Sequence, residues 1–228
     1  MSDASQTIEV LGLEEYFVDS SEDLDSDSEQ PSSEDDPLRS EALVFDMEDL
    51  QPCLALGNIT VLRLDIKWHV NLKDSGVLAL ALSWPHLKVL SINMHSGWNM
   101  QGGITLNGLL QLFRICLLLH SINVAVDTRG YTEFPSSGLL ANQTLPHILI
   151  DIIDSKIEAE SVPAIAALFS PTLHSTIELE YIPWWGNIPG GEVYRDRWDD
   201  VRELMGLPKL YYMTLPVLMF HRIEYVPL

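Results

Sequence analysis

Residues that could support catalysis or bind a metal are present, but their spacing matches no known chemical motif. The chain has seven histidines and two cysteines, and Cys53 lies 63 positions before Cys116. This spacing fits neither a zinc site nor a disulfide framework, and both thiols are predicted to be buried. No nucleophile elbow, phosphate-binding loop or dinucleotide fingerprint occurs in the sequence. We therefore predict no catalytic residue, no metal site and no cofactor.

One spaced pattern of apolar residues occurs three times in the middle of the chain. The copies begin at Ile59, Leu87 and Leu119, and each has apolar residues at its first, fourth and sixth positions. Successive copies begin 28 and 32 residues apart, and an apolar helical stretch follows each of the first two. This spacing is typical of leucine-rich repeats, in which neighbouring strand–helix units bury each other's apolar faces. The sequence predicts an α/β leucine-rich-repeat solenoid with a parallel sheet on the concave side and helices on the convex side.

About five irregular repeats and a C-terminal cap are predicted within residues 41–228. The first strand and helix are predicted at Glu41–Phe45 and Met47–Leu56, with Asp46 as the N-cap and Asp74 capping the next helix. Further strands are predicted at Ile59–Ile66, Leu87–Met94, Ser121–Val126, His147–Ile153 and Thr176–Tyr181, and helices at Asp74–Trp84, Thr105–Leu118, Ser161–Phe169 and around Trp198 as far as Gly206.

Aligning the predicted strands places their polar residues in two rows on the concave surface. The alignment sets Leu62, Leu90 and Ile122 side by side, followed by Ile148 and Ile177 in the fourth and fifth strands. Because the rows become more acidic toward the C-terminal end, we expect them to bind a protein segment that carries Lys or Arg. The row residues predicted to bind the partner are Arg63, Asp65, Ser91, Asn93, Asn123, Asp151, Glu178 and Glu180, with His95 and Asp127 beside them as a hydrogen-bonded pair.

The predicted repeats lack the asparagine that usually occupies the ninth position of the pattern. That position holds Lys67, His95, Asp127 and Ile153 in successive strands. The backbone groups of the turns must nevertheless find hydrogen-bond partners, because an unpaired buried group is costly. We therefore expect an irregular array without an asparagine ladder.

Four tryptophans lie in loops shortly after predicted strands, which places them along one rim of the solenoid. They are Trp68, Trp98, Trp184 and Trp185. Large aromatic rings at such positions are candidate anchors for a protein partner. The alternative is that the rings cover the edge of the core, and the sequence leaves both interpretations open.

Negative charge is concentrated in the N-terminal part of the chain. Residues 1–50 hold 17 of the 33 acidic residues and a single basic residue, Arg39. Residues 1–40 are therefore predicted to form a disordered acidic tail, although the apolar residues within 1–18 also fit a strand or a partner motif. Ser20, Ser32 and Ser33 lie among acidic residues and are candidate phosphorylation sites, with a merely solvating tail as the simpler interpretation.

The charge and hydropathy of the chain argue against several classes of partner. A net charge of −20 without a basic patch argues against nucleic acid and anionic membranes, because both require clustered Lys and Arg. The sequence contains no recognisable secretory signal or membrane-spanning stretch. We expect an intracellular protein, in the cytoplasm or the nucleus, whose partner is another protein.

The strand and helix boundaries are similar to those of a known family. The similar stretches are Leu50–Ile59 before a strand, Ser83–Leu87 at a helix end, Gly103–Leu110 at the start of a helix that closes at Cys116, and an acidic-aromatic helix around Trp198. Between Phe45 and Met205 the chain thereby resembles the leucine-rich-repeat region of fungal F-box proteins. The resemblance implies a protein-binding module of the kind that recognises substrates for a cullin ubiquitin ligase.

The F-box itself, which in that family docks on the Skp adaptor, has no counterpart before Phe45. Assembly with the Skp adaptor and cullin is therefore not predicted. A surface of the type that binds substrates is predicted. Two alternatives stay open: a small hydrolase or transferase in an irregular α/β fold, and a truncated remnant without activity. A deep pocket that joins a nucleophile, a base and oxyanion donors would favour the enzyme.

Overall fold

A computed structural model describes residues 9–14, 43–66, 68–94, 97–98, 103–132, 148–169, 177–180 and 191–207 of the chain. The strands are β1 Val10–Glu14, β2 Val44–Phe45, β3 Val61–Asp65, β4 His69–Val70, β5 Val89–Ile92, β6 Ile104–Thr105, β7 Ser121–Asn123, β8 Val126–Asp127, β9 Ile148–Asp151 and β10 Ile177–Glu180. The helices are α1 Met47–Leu50, α2 Asp74–Ser83, α3 Leu106–Ile115, α4 Val162–Phe169 and α5 Gly191–Leu204.

Six of the strands form one parallel sheet in the order β1-β3-β5-β7-β9-β10. Two smaller parallel pairs, β2 with β4 and β6 with β8, lie outside it. Parallel strands need a crossover connection, and α2, α3 and α4 each lie in the chain between consecutive strands of the main sheet. The prediction of a mixed α/β fold with a parallel sheet is confirmed.

The register of the sheet agrees with the sequence pattern in its first three predicted strands. Leu62 pairs with Leu90, and Leu90 pairs with Ile122. The next strand is displaced by two residues, because Ile150 rather than Ile148 pairs with Ile122. A slip of two residues leaves every side chain on the same face, so hydropathy alone cannot detect it. The predicted alignment at Ile148 and Ile177 is therefore wrong relative to the first three strands, although these two residues do pair with each other.

The outermost strand, β1, comes from a part of the chain that the sequence analysis included in the acidic tail. Its residues Val10–Glu14 pair in parallel with Val61–Asp65 of β3. Five residues at the start of the predicted tail thus belong to the sheet, because an edge strand can be held by backbone hydrogen bonds without a strong apolar pattern. The rest of residues 1–40 lies outside the described part of the chain, apart from Glu9 beside the strand.

The first predicted helix is capped as expected but is shorter. Asp46 accepts a hydrogen bond from Glu48 N at 2.7 Å, and its own N–H donates to the Asp49 carboxylate at 2.9 Å. This reciprocal arrangement is a capping box. The helix ends at Leu50, and a 3-10 turn over Gln51–Ala55 replaces its predicted second half. The preceding strand, β2, pairs with β4 and does not join the main sheet.

Asp74 connects two helices instead of capping its own. The N-cap of α2 is Lys73, which makes no side-chain cap, whereas the Asp74 carboxylate accepts hydrogen bonds from Thr105 N and Thr105 Oγ1, both at 2.7 Å. Thr105 in turn caps α3 by accepting from Gly108 N at 3.3 Å. A Cβ at Gly108 would overlap the Asp74 carboxylate, so a larger residue there would displace this carboxylate. The predicted cap is wrong because the carboxylate is used by the next unit.

The apolar faces of the strands and helices meet in one buried cluster. Leu62 and Leu64 of β3 are buried and Arg63 between them is exposed, as expected of a strand with one covered face. Trp84, Phe113 and Trp198 are among the largest fully buried side chains of this cluster. Within the described ranges, no helix combines the length and apolarity needed to cross a bilayer.

A buried asparagine joins two consecutive units, which the sequence analysis did not expect. Asn93 Oδ1 accepts a hydrogen bond from Ile66 N at 2.8 Å, and its Nδ2 donates to Trp68 O at 3.0 Å and to Gly97 O at 3.3 Å. Asn93 adopts a left-handed φ of 52°, which asparagine tolerates better than most residues. It stands at the seventh position of the pattern rather than the ninth, so this turn is satisfied differently from that of the commonest repeat, as expected.

We predict that Asn93→Ala lowers the free energy of unfolding by about 2–3 kcal/mol, because three hydrogen bonds are lost and buried backbone groups are left unpaired. Urea denaturation of the full chain measures the change. Asn58→Ala is the matched control, since Asn58 is exposed, and should change stability by less than about 0.5 kcal/mol. Equal stabilities of the two variants would contradict the bridging role of Asn93.

We also predict different reactivity of the two thiols at pH 8. Burial raises the pKa of Cys116 to about 11, and its Sγ lies 3.6 Å from Trp84 O, whereas Cys53 is half-buried. At pH 8 a thiol with that pKa is on the order of 0.1% thiolate, so Cys116 should resist a disulfide reagent while Cys53 reacts. Mass spectrometry locates the label. Modification of both cysteines at the same rate in the native protein would contradict the burial of Cys116.

Candidate functional site

A shallow cleft of about 90 Å³ lies at the carboxyl end of β8, beside the β9–α4 loop of residues 152–158. Binding sites in parallel α/β sheets commonly form at the carboxyl ends of strands, because the connecting loops converge there. We call this feature the strand-end cleft. Its polar lining includes Asp127, Arg129, Asp154, Lys156, Glu158 and Tyr194.

The β9–α4 loop presents its side chains from a backbone that several elements hold in place. Ser155 Oγ accepts a hydrogen bond from Val126 N at 2.7 Å, and Ser155 O accepts one from Trp198 Nε1 at 2.8 Å. Thr128 Oγ1 donates to Lys156 O at 2.7 Å. Because β8, the segment after it and α5 all bind this loop, Lys156 projects from a fixed position in the cleft wall.

Helix α5 closes one side of the strand-end cleft. Arg197 Nη1 donates to Ile157 O at 2.6 Å and lies 3.4 Å from the Glu158 carboxylate. The same guanidinium lies 5.8 Å from the centre of the Tyr194 ring, which is a cation–π distance. Arg197 therefore links the helix to the loop and orients the carboxylate of Glu158.

Asp127 and Arg129 form an ion pair at the mouth of the cleft. Arg129 Nε donates to Asp127 Oδ1 at 2.9 Å and Arg129 Nη2 donates to Asp127 Oδ2 at 2.7 Å, which is the two-point geometry that guanidinium and carboxylate groups favour. The side-chain hydrogen bond from Arg129 holds the pKa of Asp127 below its ordinary value of 3.8, although desolvation acts in the opposite direction. The Asp127 carboxylate is thus occupied by its ion pair with Arg129.

The inner wall of the cleft contains a buried tryptophan. Trp98 N donates to both carboxylate oxygens of Asp154 at 3.1 Å, and its ring Nε1 donates to Ile92 O at 2.8 Å. A Cβ at Gly97, where φ is +68°, would lie 2.9 Å from the Asp154 carboxylate, and one at Gly103 would lie 3.2 Å from the Trp98 ring. Close packing therefore fixes both the ring and the carboxylate.

Lys156 is the charged residue of the cleft that stays available for a ligand. Asp127 is bound by Arg129, Glu158 by Arg197 and Asp154 by a backbone amide. Within the described residues, the ammonium group of Lys156 forms no hydrogen bond or ion pair. The cleft therefore contains the ammonium group of Lys156 beside three carboxylates, of which Asp127 and Glu158 face guanidinium groups and Asp154 accepts from a backbone amide.

The geometry of the strand-end cleft suits recognition by charge and hydrogen bonding. Ser155 Oγ is used in hydrogen bonds to Val126 N and the Ile152 carbonyl, and no described serine, threonine or cysteine of the cleft bonds to a histidine or a carboxylate. The described residues also contain no group of three His, Cys, Asp or Glu that could hold a metal. A volume of about 90 Å³ accommodates part of a side chain, whereas small-molecule pockets typically measure about 300–1,000 Å³.

Four of the predicted concave-row residues are enclosed rather than open to a partner. Ser91, Asn93, Asn123 and Asp151 are all buried, and Asp151 is only 1% exposed. Its carboxylate accepts a hydrogen bond from Ile153 N at 2.9 Å. The expectation that these residues face an open concave surface is wrong. A polar side chain in a strand need not face solvent if other protein groups satisfy its hydrogen bonds.

The remaining row residues have different environments. Arg63 is exposed and Asp65 is partly exposed, and their contact with a partner stays a prediction. Asp127 lies in the strand-end cleft and pairs with Arg129, and the predicted pairing with His95 involves a residue outside the described part of the chain. The side chains of Glu178 and Glu180 also lie outside the described residues.

The four tryptophans of the predicted rim do not behave alike. Trp98 is 1% exposed, so of the two interpretations the one in which the ring covers the core applies to it. Trp68 is 36% exposed and stays a candidate anchor. Trp184 and Trp185, and the candidate phosphorylation sites Ser20, Ser32 and Ser33, lie outside the described residues.

Sequence reasoning missed most of the residues that form the strand-end cleft. The residues that were not predicted are Arg129, Lys156, Glu158 and Tyr194. All four lie outside the strand positions that were used to define the rows. One signal was present: the ninth-position residue Asp127 precedes Arg129 by two, a spacing that allows an ion pair across a turn. Only the folded structure brings residues of the β9–α4 loop and of α5 to the cleft.

We predict that Arg129→Gln raises the pKa of Asp127 toward 3.8, because the main charge-stabilising hydrogen bond is lost. Since the pKa in the folded chain is lowered, the pairing favours the folded state above pH 3.8, and this contribution disappears as the pH falls through the lowered pKa. Carboxyl carbon NMR shifts measure the titration. Arg195→Gln, which affects only the exposed pair with Asp196, is the control. An unchanged midpoint in the Arg129 variant would contradict the pairing.

Comparison of the chain with models of protein families, with curated proteins and with solved structures found no match. The resemblance to the leucine-rich-repeat region of fungal F-box proteins is therefore carried by the residue pattern and stays a prediction. The parallel sheet and the strand-end cleft are observed in the structure independently of it.

Proposed function

We propose that this chain is a protein-binding module of the leucine-rich-repeat type, similar to the substrate-recognition region of an F-box protein. The observation that supports this proposal best is that the three copies of the apolar pattern lie in adjacent parallel strands, β3, β5 and β7. Leu62, Leu90 and Ile122, the fourth residue of each copy, stand side by side. Arrays of strand–helix units use their own apolar faces for stability and offer an extended surface to a protein partner.

Asn93 supports the same proposal. In a repeat array each turn must satisfy the backbone groups of its neighbour, and Asn93 bonds to Ile66 and Trp68 of the preceding unit. The distance along the chain to Ile66 is 27 residues, which is close to one predicted repeat. A side chain that bridges successive repeats in this way is what a stacked array requires.

The binding surface in this proposal lies at the carboxyl ends of the strands. The central residues of the sheet are enclosed, as at Ser91 and Asn123, so the sheet face offers little to a partner. The cleft is a fixed polar recess after β8 and β9, and Trp68, which is 36% exposed, follows β3. Buried anchors surrounded by polar groups are the usual composition of a binding hot spot.

In this proposal an acidic side chain of the partner contacts Lys156 in the strand-end cleft. The expectation of a Lys- or Arg-bearing segment depended on Asp151, Glu178 and Glu180, and Asp151 is buried and hydrogen-bonded. Lys156 lines the cleft, and within the described residues its ammonium group forms no hydrogen bond or ion pair. A carboxylate of the partner that reaches Lys156 would gain a charge-assisted hydrogen bond in a partly desolvated recess.

The test uses two variants with the same change of charge. Lys156→Glu places a negative charge in the cleft, and Lys88→Glu places one immediately before β5, at the amino ends of the strands. The partner is first identified by affinity purification of the full chain and photo-cross-linking from position 129, then purified for calorimetry. We expect Lys156→Glu to weaken binding at least about tenfold, or about 1.4 kcal/mol, and Lys88→Glu to leave it unchanged. Equal effects of both variants, or tighter binding by Lys156→Glu, would contradict an acidic contact in the cleft.

The same purification addresses membership of a ubiquitin ligase. The eluate is also examined for the Skp adaptor and cullin by mass spectrometry. Stoichiometric recovery of both proteins with the chain would support a ligase subunit, and recovery of the partner without them would contradict it.

A further inference from the structure

Two loops that connect helices to strands lie side by side at the amino ends of the strands. The first joins α2 to β5, and the second joins α3 to β7. The Cys116 thiol donates a hydrogen bond to Trp84 O at 3.6 Å, and His120 N donates to Lys88 O at 2.9 Å. Because these contacts join the loops at both ends, corresponding residues of the two repeats are neighbours.

These loops and the helix ends before them expose three leucines. Leu82 in the last turn of α2 is 65% exposed, and Leu117 and Leu118 in the second loop are 55% and 49% exposed. Pro85, which corresponds to Leu117 in the first loop, is also exposed. Grouped apolar side chains on a surface, unlike single ones, mark an interaction site. We call these four residues, together with exposed Arg114 in the last turn of α3, the helix-end patch.

The outward face of α2 extends the apolar surface of the patch. Ser75, Leu78, Ala79 and Leu82 follow one another at helical spacing, and all four are at least partly exposed. A surface helix usually carries charged residues on such a face, whereas α2 has none after Asp74. The contacts of α2 with α3 and with the preceding 3-10 turn therefore leave an apolar face unpartnered.

Acidic residues are absent from the patch and from the sequence around it. Residues 75–126 contain no Asp or Glu, although the whole chain contains 33. Between β3 and α4, the described acids lie where strands end and helices begin, as at Asp65, Asp74 and Asp154. Helix N-termini favour acidic residues, which accounts for part of this separation. The separation leaves the helix-end patch with the positive charge of Arg114 beside its leucines.

We propose that the helix-end patch binds a short amphipathic segment of a partner protein that carries apolar and acidic side chains. The apolar side chains pack on the three leucines and on the outward face of α2, as an amphipathic helix packs in a groove. A carboxylate at the border of the segment pairs with Arg114. The inference goes beyond the proposed function, because the patch lies at the amino ends of the strands and the strand-end cleft lies at their carboxyl ends.

The charge distribution favours a protein segment over an anionic membrane. A short segment contacts the patch alone, and charges more than about 8 Å away are largely screened at physiological salt. A membrane surface is extended and also faces the acidic parts of a chain whose net charge is −20. Binding to an anionic surface requires clustered Lys and Arg, and the patch contains one arginine.

The probe is a synthetic peptide of about 14 residues, blocked at both ends, with Leu at helical spacing on one face and Glu and Gln on the other. Titration of the full chain with this peptide measures the Kd, and methyl NMR locates the contact. We expect a Kd of about 0.1–1 mM. The methyl signals of Leu82, Leu117 and Leu118 should shift, and that of Leu204 on α5 should not.

Two exposed leucines allow a matched test of the apolar contact. Leu118→Gln should raise the Kd of the peptide at least about fivefold, because the apolar area that this side chain buries on binding is lost. Leu204→Gln is the control, since Leu204 is 59% exposed but lies outside the patch, and it should leave the Kd unchanged. Equal effects of the two substitutions would overturn the proposal.

The charge contact is tested by reversing one charge on each side. Arg114→Glu should raise the Kd of the peptide at least about tenfold and should improve the binding of a second peptide in which Lys replaces Glu. Arg195→Glu on α5 is the control for the change of charge, because Arg195 is also exposed. Equal binding of the Glu and Lys peptides to the unmodified chain would contradict an acidic partner.

Other occupants of the patch give different results. Absence of shifts in the patch at about 1 mM peptide overturns the proposal. Binding to phosphatidylserine vesicles that Leu118→Gln abolishes would assign the patch to a membrane. Self-association in analytical ultracentrifugation that the same substitution abolishes would assign it to a second copy of the chain, and either result overturns the proposal.

Discussion

Hydrogen bonds between consecutive strand–helix units are the interaction on which the rest of this structure depends. Each strand of a parallel sheet is followed by a turn whose backbone groups have no partner within their own unit, and an unpaired buried group costs as much as a lost hydrogen bond. Asn93 supplies these partners between the units of β3 and β5. Further along the chain, Ser155 Oγ accepts a hydrogen bond from the backbone N–H of Val126 in β8. The apolar core can form only because such side chains complete the turns.

The same bonds fix the walls of the strand-end cleft. Ser155 and Thr128 satisfy backbone groups, and in doing so they fix the β9–α4 loop from which Lys156 and Glu158 project. Trp98 and Asp154 are likewise held by structural hydrogen bonds and form the wall of the cleft. The packing of this region and the shape of the cleft therefore depend on one set of contacts, so a variant that alters the cleft wall is also expected to alter the packing behind it.

The enclosure of polar residues in the middle of the sheet moves recognition away from the sheet face. Ser121 and Asn123 of β7 and Asp151 of β9 are buried, although side chains of this type usually mark the solvent side of a strand. Exposed polar groups are instead found at the strand ends, as at Arg129, and next to the edge strand β1, as at Arg63 of β3.

The sequence by itself determined the parallel α/β arrangement, because the apolar spacing repeated from Ile59, Leu87 and Leu119 leaves each unit with a face that only a neighbour can bury. It also determined the Asp46 cap, which depends on residues only three positions apart. Tertiary structure alone decided the two-residue displacement of β9, since a slip of two preserves the buried face. It likewise decided the use of Asp74 by Thr105, the addition of β1 to the edge, and the meeting of Asp127, Lys156 and Tyr194 in one cleft. These contacts join residues that are distant along the chain. Local spacing does not show which distant groups will become hydrogen-bond or packing partners.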